Sequence, residues 1–182
     1  DTAQRHGLGG ALQGLGVVPK GLGEVGLDQA RRDAVHADAV LAVLVGQVAG
    51  QLEVGGLGDV VGALPKYQNK AGITSKVVMP MYRTPFLYTS DWVVDYKAKA
   101  YMGGWEFEYT IIKEVNNKLG FDLYLVDIAG LLDRQKIYGY ADDAERFTAF
   151  QIAVVHWMSH WNHRPTAVHC HDYHAGLIPF MM

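Results

Sequence analysis

The chain has 182 residues, a net charge of −3 and 49% apolar residues, which suits one globular domain with a full core. No basic cluster points to nucleic acid, and the longest apolar run of the first third, Ala39 to Val45, is far short of the roughly 20 residues of a membrane helix. The one cysteine, Cys170, excludes an internal disulfide framework and fits a reducing, cytoplasmic setting.

Residues 1 to 53 contain no Phe, Trp, Tyr, Ile, Met, Ser, Asn or Cys and hold ten of the 21 glycines. Every aromatic residue lies in 54 to 182, so the composition divides the chain there. Three readings of the first segment compete. It is a glycine-rich flexible tail, or a small helical element over Asp28 to Val45, or a foreign or mis-framed piece joined to an ordinary protein. The last accounts for the missing residue classes in one step. Asp1 opens without an initiator Met or a charged-then-apolar leader, and Phe180-Met181-Met182 closes in an apolar stretch, so both ends read as cut.

From Val54 the pattern sharpens. Gly55-Gly56-Leu57-Gly58-Asp59 reads as a tight loop opening onto a helix, with Pro65 as an expected kink. Lys76 to Pro80 predicts a short buried strand. Trp92 to Met102 and Trp105 to Val115 predict two strands joined at Gly103-Gly104 as a hairpin. Phe121 to Val126 predicts another strand. Asp142 and Asp143 precede a long helix with Phe147, Phe150, Val154, Met158 and Trp161 on one face, ended by His163-Arg164-Pro165. Thr166 to Cys170 predicts a last strand, running into His171-Asp172, with a helix starting near Tyr173. The alternation predicts an α/β fold: a mostly parallel sheet with an antiparallel insert.

Three loops are candidates for chemistry, because ligands of open α/β sheets bind outside the carboxyl ends of strands. Gly55 to Asp59 is either a diphosphate cradle of free N–H groups or an ordinary helix-entry turn. His169 to His174 is a strand-end polar cluster, a sugar-contacting site or a metal site; strand alternation sends His169 and His171 to one side. Asp142 and Asp143 either complement the helix dipole or face a substrate. His156 and His160 stand at i, i+4, but no Glu follows His156 as a zinc-protease helix would require.

Taken in order, Val54-Gly55-Gly56-Leu57-Gly58-Asp59-Val60-Val61-Gly62-Ala63-Leu64-Pro65, Lys76-Val77-Val78-Met79-Pro80-Met81-Tyr82, Tyr140-Ala141-Asp142-Asp143-Ala144-Glu145-Arg146-Phe147 and His169-Cys170-His171-Asp172-Tyr173-His174-Ala175-Gly176-Leu177 resemble the bacterial glycogen synthase and plant starch synthase family. The resemblance spans residues 54 to 182 and does not reach 1 to 53. It implies a Rossmann-like N-terminal domain of a GT-B glycosyltransferase, incomplete, with a β-hairpin insert. It implies glucose transfer, with retention, from ADP-glucose to the non-reducing end of an α-1,4-glucan. Neither a metal nor a further cofactor is implied. By the same resemblance, the backbone of Gly55, Gly56 and Leu57 lies near the donor diphosphate and Asp59 supports the donor site. His171 lies against the transferred glucose, and Asp142 faces the sugar or acceptor side.

The chain departs from the family's pattern at three points. The family has Lys two residues before the first glycine, where this chain has Glu53. A carboxylate repels a diphosphate where an ammonium attracts it. The glycine- and alanine-rich segment before Glu53 does not resemble the family's first strand. The C-terminal GT-B domain is missing, so the expectation is that this piece is inactive by itself. Two other functions remain open: a metal-dependent hydrolase using His169, His171 and His174, and a non-catalytic glucan-binding remnant using Trp92 and Trp105.

Overall fold

A computed structural model describes residues 39–43 and 55–182. Six strands form one sheet: β1 (Ala39–Val43), β2 (Thr74–Pro80), β3 (Trp92–Met102), β4 (Trp105–Glu114), β5 (Asp122–Asp127) and β6 (Ala167–Cys170), in the order β3-β4-β5-β2-β1-β6. β1 runs parallel to β2 and β6, and β2 parallel to β5. β4 is antiparallel to both β3 and β5. The sheet is therefore mostly parallel with an antiparallel hairpin at one edge, as the alternation of elements predicts.

Burial follows position in the sheet. Leu41, Val43, Val77, Val78 and Val126 have no exposed surface, because central parallel strands are covered on both faces. β3, at the edge, alternates and is largely exposed. Gly103 closes the hairpin at φ 60°, a conformation that a residue with a Cβ adopts only under strain. The register slips between Val94 and Tyr96, and the residue at that bulge, Asp95, accepts a hydrogen bond from the Trp157 indole at 3.1 Å.

Helix α1 (Gly55–Lys70) packs against β2. Ser75 donates to Gln68 at 2.8 Å and takes Asn69 Oδ1 on its N–H at 2.8 Å, fastening the end of the helix to the start of the strand. The helix includes the glycines where a preceding loop was expected, and it runs through Pro65 unbroken. Helix α2 (Pro85–Thr89) is short. Helix α3 (Asp143–Ser159) buries Phe147, Phe150, Val154 and Met158, the face its spacing predicts. It ends at Ser159 with His160 as C-cap, a few residues before the expected stop. A single 3₁₀ turn (Tyr173–Ala175) and the short helix α4 (Ile178–Met181) follow β6.

The strand β1 excludes one of the three readings of the first segment, the helical one, over the residues described. Ala39–Val43 lies within the segment set apart by composition, yet it sits between β2 and β6 in the sheet. The helix expected over Asp28 to Val45 is a strand across Ala39–Val43; residues 28–38 and 44–45 lie outside the described residues. An apolar run of this length carries no period that separates strand from buried helix. The two parallel neighbours, β2 alongside all five residues and β6 alongside Val40 to Val43, decide it.

Candidate functional site

From β1 the chain goes to β2 and to the far-edge strand β3, steps back through β4 to β5, and returns to β6 on the other side of β1. The crevice beyond the carboxyl ends of β1 and β6 is thus the point where the strand order reverses, and such a crevice is where open α/β sheets bind ligands. Two of the candidate segments flank it. The His171 N–H donates to the Val43 carbonyl at 3.0 Å, so the histidine segment is tied to the end of β1. α1, which follows β1, starts at the same edge, and Gly55, Gly56, Leu57 and Asp59 form its first turns. N–H groups in the first turn of a helix have no intrahelical partner, so the glycine segment places donors at the helix start although it is helix and not loop. Glu53 lies outside the described residues.

His171 is half-buried, and its Nε2 has no hydrogen-bond partner among the described residues. Burial, and then the charge of His169, push its pKa below the usual imidazole range, so it is neutral at pH 7. The His169 and His171 rings lie 6.3 Å apart on the side that strand alternation predicts. His174 is buried, with neither ring nitrogen hydrogen-bonded among the described residues, its Nδ1 3.9 Å from the Asp172 carboxylate and its pKa also lowered by burial. It stacks on Tyr138 at 5.8 Å and meets Phe147 edge-on at 4.5 Å. That contact joins the histidine segment to the third candidate segment, Tyr138 to Asp143.

The two aspartates of that third segment do different work. Asp143 accepts from the Gly139 N–H at 2.6 Å, the Tyr140 N–H at 3.2 Å and Arg146 Nη1 at 2.5 Å. Burial raises its pKa, but the Gly139 bond, Arg146 and the Tyr140 bond outweigh burial and hold it low. Asp143 therefore pins the turn into α3. Asp142, at the N-cap, makes no capping bond with its side chain. Its carboxylate is gripped by both terminal nitrogens of Arg134, at 3.1 and 2.6 Å, and Arg134 is anchored in turn on the Gly130 carbonyl at 2.7 and 3.2 Å. Both guanidinium groups, of Arg134 and Arg146, lie 4.8 Å from the Tyr140 ring centroid. A bidentate fork of this kind sets the plane of the carboxylate as well as its charge.

Two residues at this edge, Asp127 and Arg134, carried no sequence signal, and a third, Arg146, stood in a motif without a role of its own. Arg146 is fully buried, donates to the Leu131 carbonyl at 2.6 Å, and keeps Nη2 unpartnered among the described residues. Asp127, at the end of β5, is buried with Oδ1 unpartnered among the described residues, and burial pushes its pKa to about 7. Arg134 has no motif of its own; its bond to Asp142 appears only when the 130–142 segment folds back.

Among the described residues, no group of three or more His, Cys, Asp or Glu is arranged to hold a metal ion, so the hydrolase alternative has no ligand set there. His156 is instead bonded through Nδ1 to the Tyr109 hydroxyl at 2.7 Å. Of the aromatics proposed for a glucan-binding remnant, Trp92 is buried with its indole donating to the Leu87 carbonyl at 2.9 Å, which makes it core. Trp105 is partly exposed and stacked on Phe107. No helix among the described residues is long and apolar enough to cross a membrane.

Residues 43–182 match the model of the starch synthase catalytic domain. Over 130 residues, 71% of this chain, the sequence is 46% identical to a glycogen synthase of Flavobacterium johnsoniae, and it covers 28% of that protein. Over 131 residues, 70% of this chain, it is 35% identical to a glycogen synthase of Geobacillus thermodenitrificans, covering 26% of that protein. The fold is similar to the catalytic domain of starch synthase IV from Arabidopsis thaliana, bound to ADP and acarbose, with a TM-score of 0.66 and 24% identity over 77% of this chain and 29% of that one. The chain thus spans little more than a quarter of the length of the relatives it matches.

Proposed function

We propose a function from one premise, that this chain belongs to the starch synthase catalytic domain family and has the architecture of a partial Rossmann-like GT-B domain. The protein carrying it transfers glucose from ADP-glucose to the non-reducing end of an α-1,4-glucan, with retention at the anomeric carbon. This chain furnishes one wall of the cleft, and alone it is inactive. The observation that carries the reading is the reversal of strand order between β1 and β6, with His171 bonded to Val43 at one side and the first turn of α1 opening at the other.

Each residue then has a physical task. The free N–H groups of Gly55, Gly56 and Leu57, at the positive end of the α1 dipole, receive the donor diphosphate and favour its departure. Asp59 supports that turn. His171, neutral at pH 7, offers an unpaired imidazole nitrogen to the transferred glucose. As the glycosidic bond to the diphosphate breaks, positive charge develops on the sugar ring. A lone pair held in a partly buried site stabilises that charge without reorganising. Asp142 faces the sugar or acceptor side, its plane set by Arg134. The chain positions and polarises; no group on it needs to form a bond to the substrate.

A chimera tests this. The matching 130 residues of the Flavobacterium johnsoniae glycogen synthase are replaced by those of this chain. We expect transfer of labelled glucose from ADP-glucose to glycogen by the chimera and none above background by this chain alone. A folded chimera that transfers nothing overturns the assignment of activity, and transfer by the isolated chain overturns its inactivity.

A further inference from the structure

We propose that the ring of Tyr173 is a stacking surface for a glucose unit of the α-1,4-glucan acceptor; this rests on the reading of the carboxyl edge as the sugar-transfer cleft. Tyr173 is 69% exposed, yet its ring is not free. One side lies on the His174 imidazole with centroids 3.6 Å apart. His174 is itself buried and held by Tyr138 and Phe147. The result is an exposed ring with a rigid back, which loses little side-chain freedom when a flat apolar surface covers it.

The backbone supports this placement. Asp172 has φ 64° and ψ 174°, a conformation almost confined to glycine. Its carboxylate accepts from the Tyr173 N–H at 2.7 Å and holds the strained link. A strained residue directly between His171, with its unpartnered Nε2, and an exposed pinned ring is a feature that folding alone does not require.

Charge selects the ligand. The half-exposed Asp172 carboxylate adjoins the ring through its bond to the Tyr173 N–H. Its negative charge opposes a diphosphate and leaves a neutral polyhydroxyl chain undisturbed. A pyranose has an apolar C–H face for the ring and a rim of hydroxyls for the exposed Asp172 carboxylate. The glucan therefore fits where the nucleotide does not.

Titration of the 182-residue chain with maltoheptaose and, separately, ADP-glucose tests the proposal, with affinities read from amide chemical shifts. Tyr173→Ala should weaken maltoheptaose binding by about fivefold to tenfold and leave ADP-glucose binding unchanged. Tyr173→Phe and Tyr173→Trp should both keep it, since stacking and not the hydroxyl is at work. Unchanged maltoheptaose affinity in Tyr173→Ala overturns the proposal, and so does an equal loss of ADP-glucose affinity, or a Tyr173→Phe variant as weak as the alanine. A wild-type chain that binds ADP-glucose but not maltoheptaose overturns it while the cleft reading stands. A wild-type chain that binds neither overturns the cleft reading and the proposal with it.

Discussion

The two ends of this sheet use polar groups in opposite ways. In the β3–β4 hairpin the charges are exposed and matched across the strands: Lys97 faces Glu108 at 3.7 Å and Lys99 faces Glu106 at 2.8 Å. At the carboxyl edge of the parallel half, matched pairs such as Arg134–Asp142 stand beside buried polar atoms that no hydrogen bond reaches. Asp127 Oδ1, Arg146 Nη2, His171 Nε2 and both nitrogens of His174 are, among the described residues, the buried side-chain polar atoms without a hydrogen-bond partner. An unsatisfied buried polar atom costs on the order of 1–3 kcal/mol. The hairpin carries none of that cost. The difference supports the proposed reading, in which one region is scaffold and the other a ligand site.

That contrast can be broken first at Asp127. Its pKa rises from 3.8 unfolded to about 7 folded, from burial and then the charge of Asp133, against Arg83. The native state therefore holds a proton that the unfolded state has lost between those values. Stability falls as pH rises from about 4 to about 7 and levels off above, by an amount on the order of 4 kcal/mol at most. Urea midpoints across pH 4.5 to 8 should show this decline in the wild type and a much flatter line in Asp127→Asn. Parallel curves would mean that Asp127 is solvated and that the edge is less strained than its geometry says.

His171→Ala in the chimera comes next. Removing a preorganised stabiliser of developing charge should lower kcat by about 100-fold to 1,000-fold with little change in KM for ADP-glucose. A loss confined to KM would make His171 a ground-state binder. Arg134→Ala should cost about tenfold in kcat/KM for glucan by releasing the plane of Asp142, with Arg134→Lys recovering only part, because an ammonium cannot fork. Full recovery by Lys would reduce the pair to simple charge. Smallest is the hairpin: Lys97→Ala should leave both melting temperature and transfer at wild-type levels, since exposed pairs contribute little. A clear loss of activity there would end the division into scaffold and site.

How much was legible in the chain depended on how local each signal was. Helix α3 and the hairpin were read closely, because a 3.6-residue apolar period and a Gly103-Gly104 turn are local properties. β6 was legible as an apolar run and its histidines as a cluster, but not the strained link at Asp172 that separates His171 from Tyr173. β1 was not legible as a strand: a helix was one of three readings of its segment, and five apolar residues take whichever form their neighbours pair with. The grip of Arg134 on Asp142 joins residues eight apart through a turn that has no period at all.

The sequence by itself determined the family, the alternation of strands and helices and the three segments that are candidates for chemistry, because motif order and apolar spacing are written along the chain. Only the tertiary structure decided that β1 lies between β2 and β6, that the glycine segment opens α1 as its first turn, and that Asp142 and Asp143 part into a held carboxylate and a pinning one. It alone decided which polar atoms stay unmatched. Whether a buried group finds a partner depends on what the fold brings beside it from far along the chain, and no local pattern encodes that.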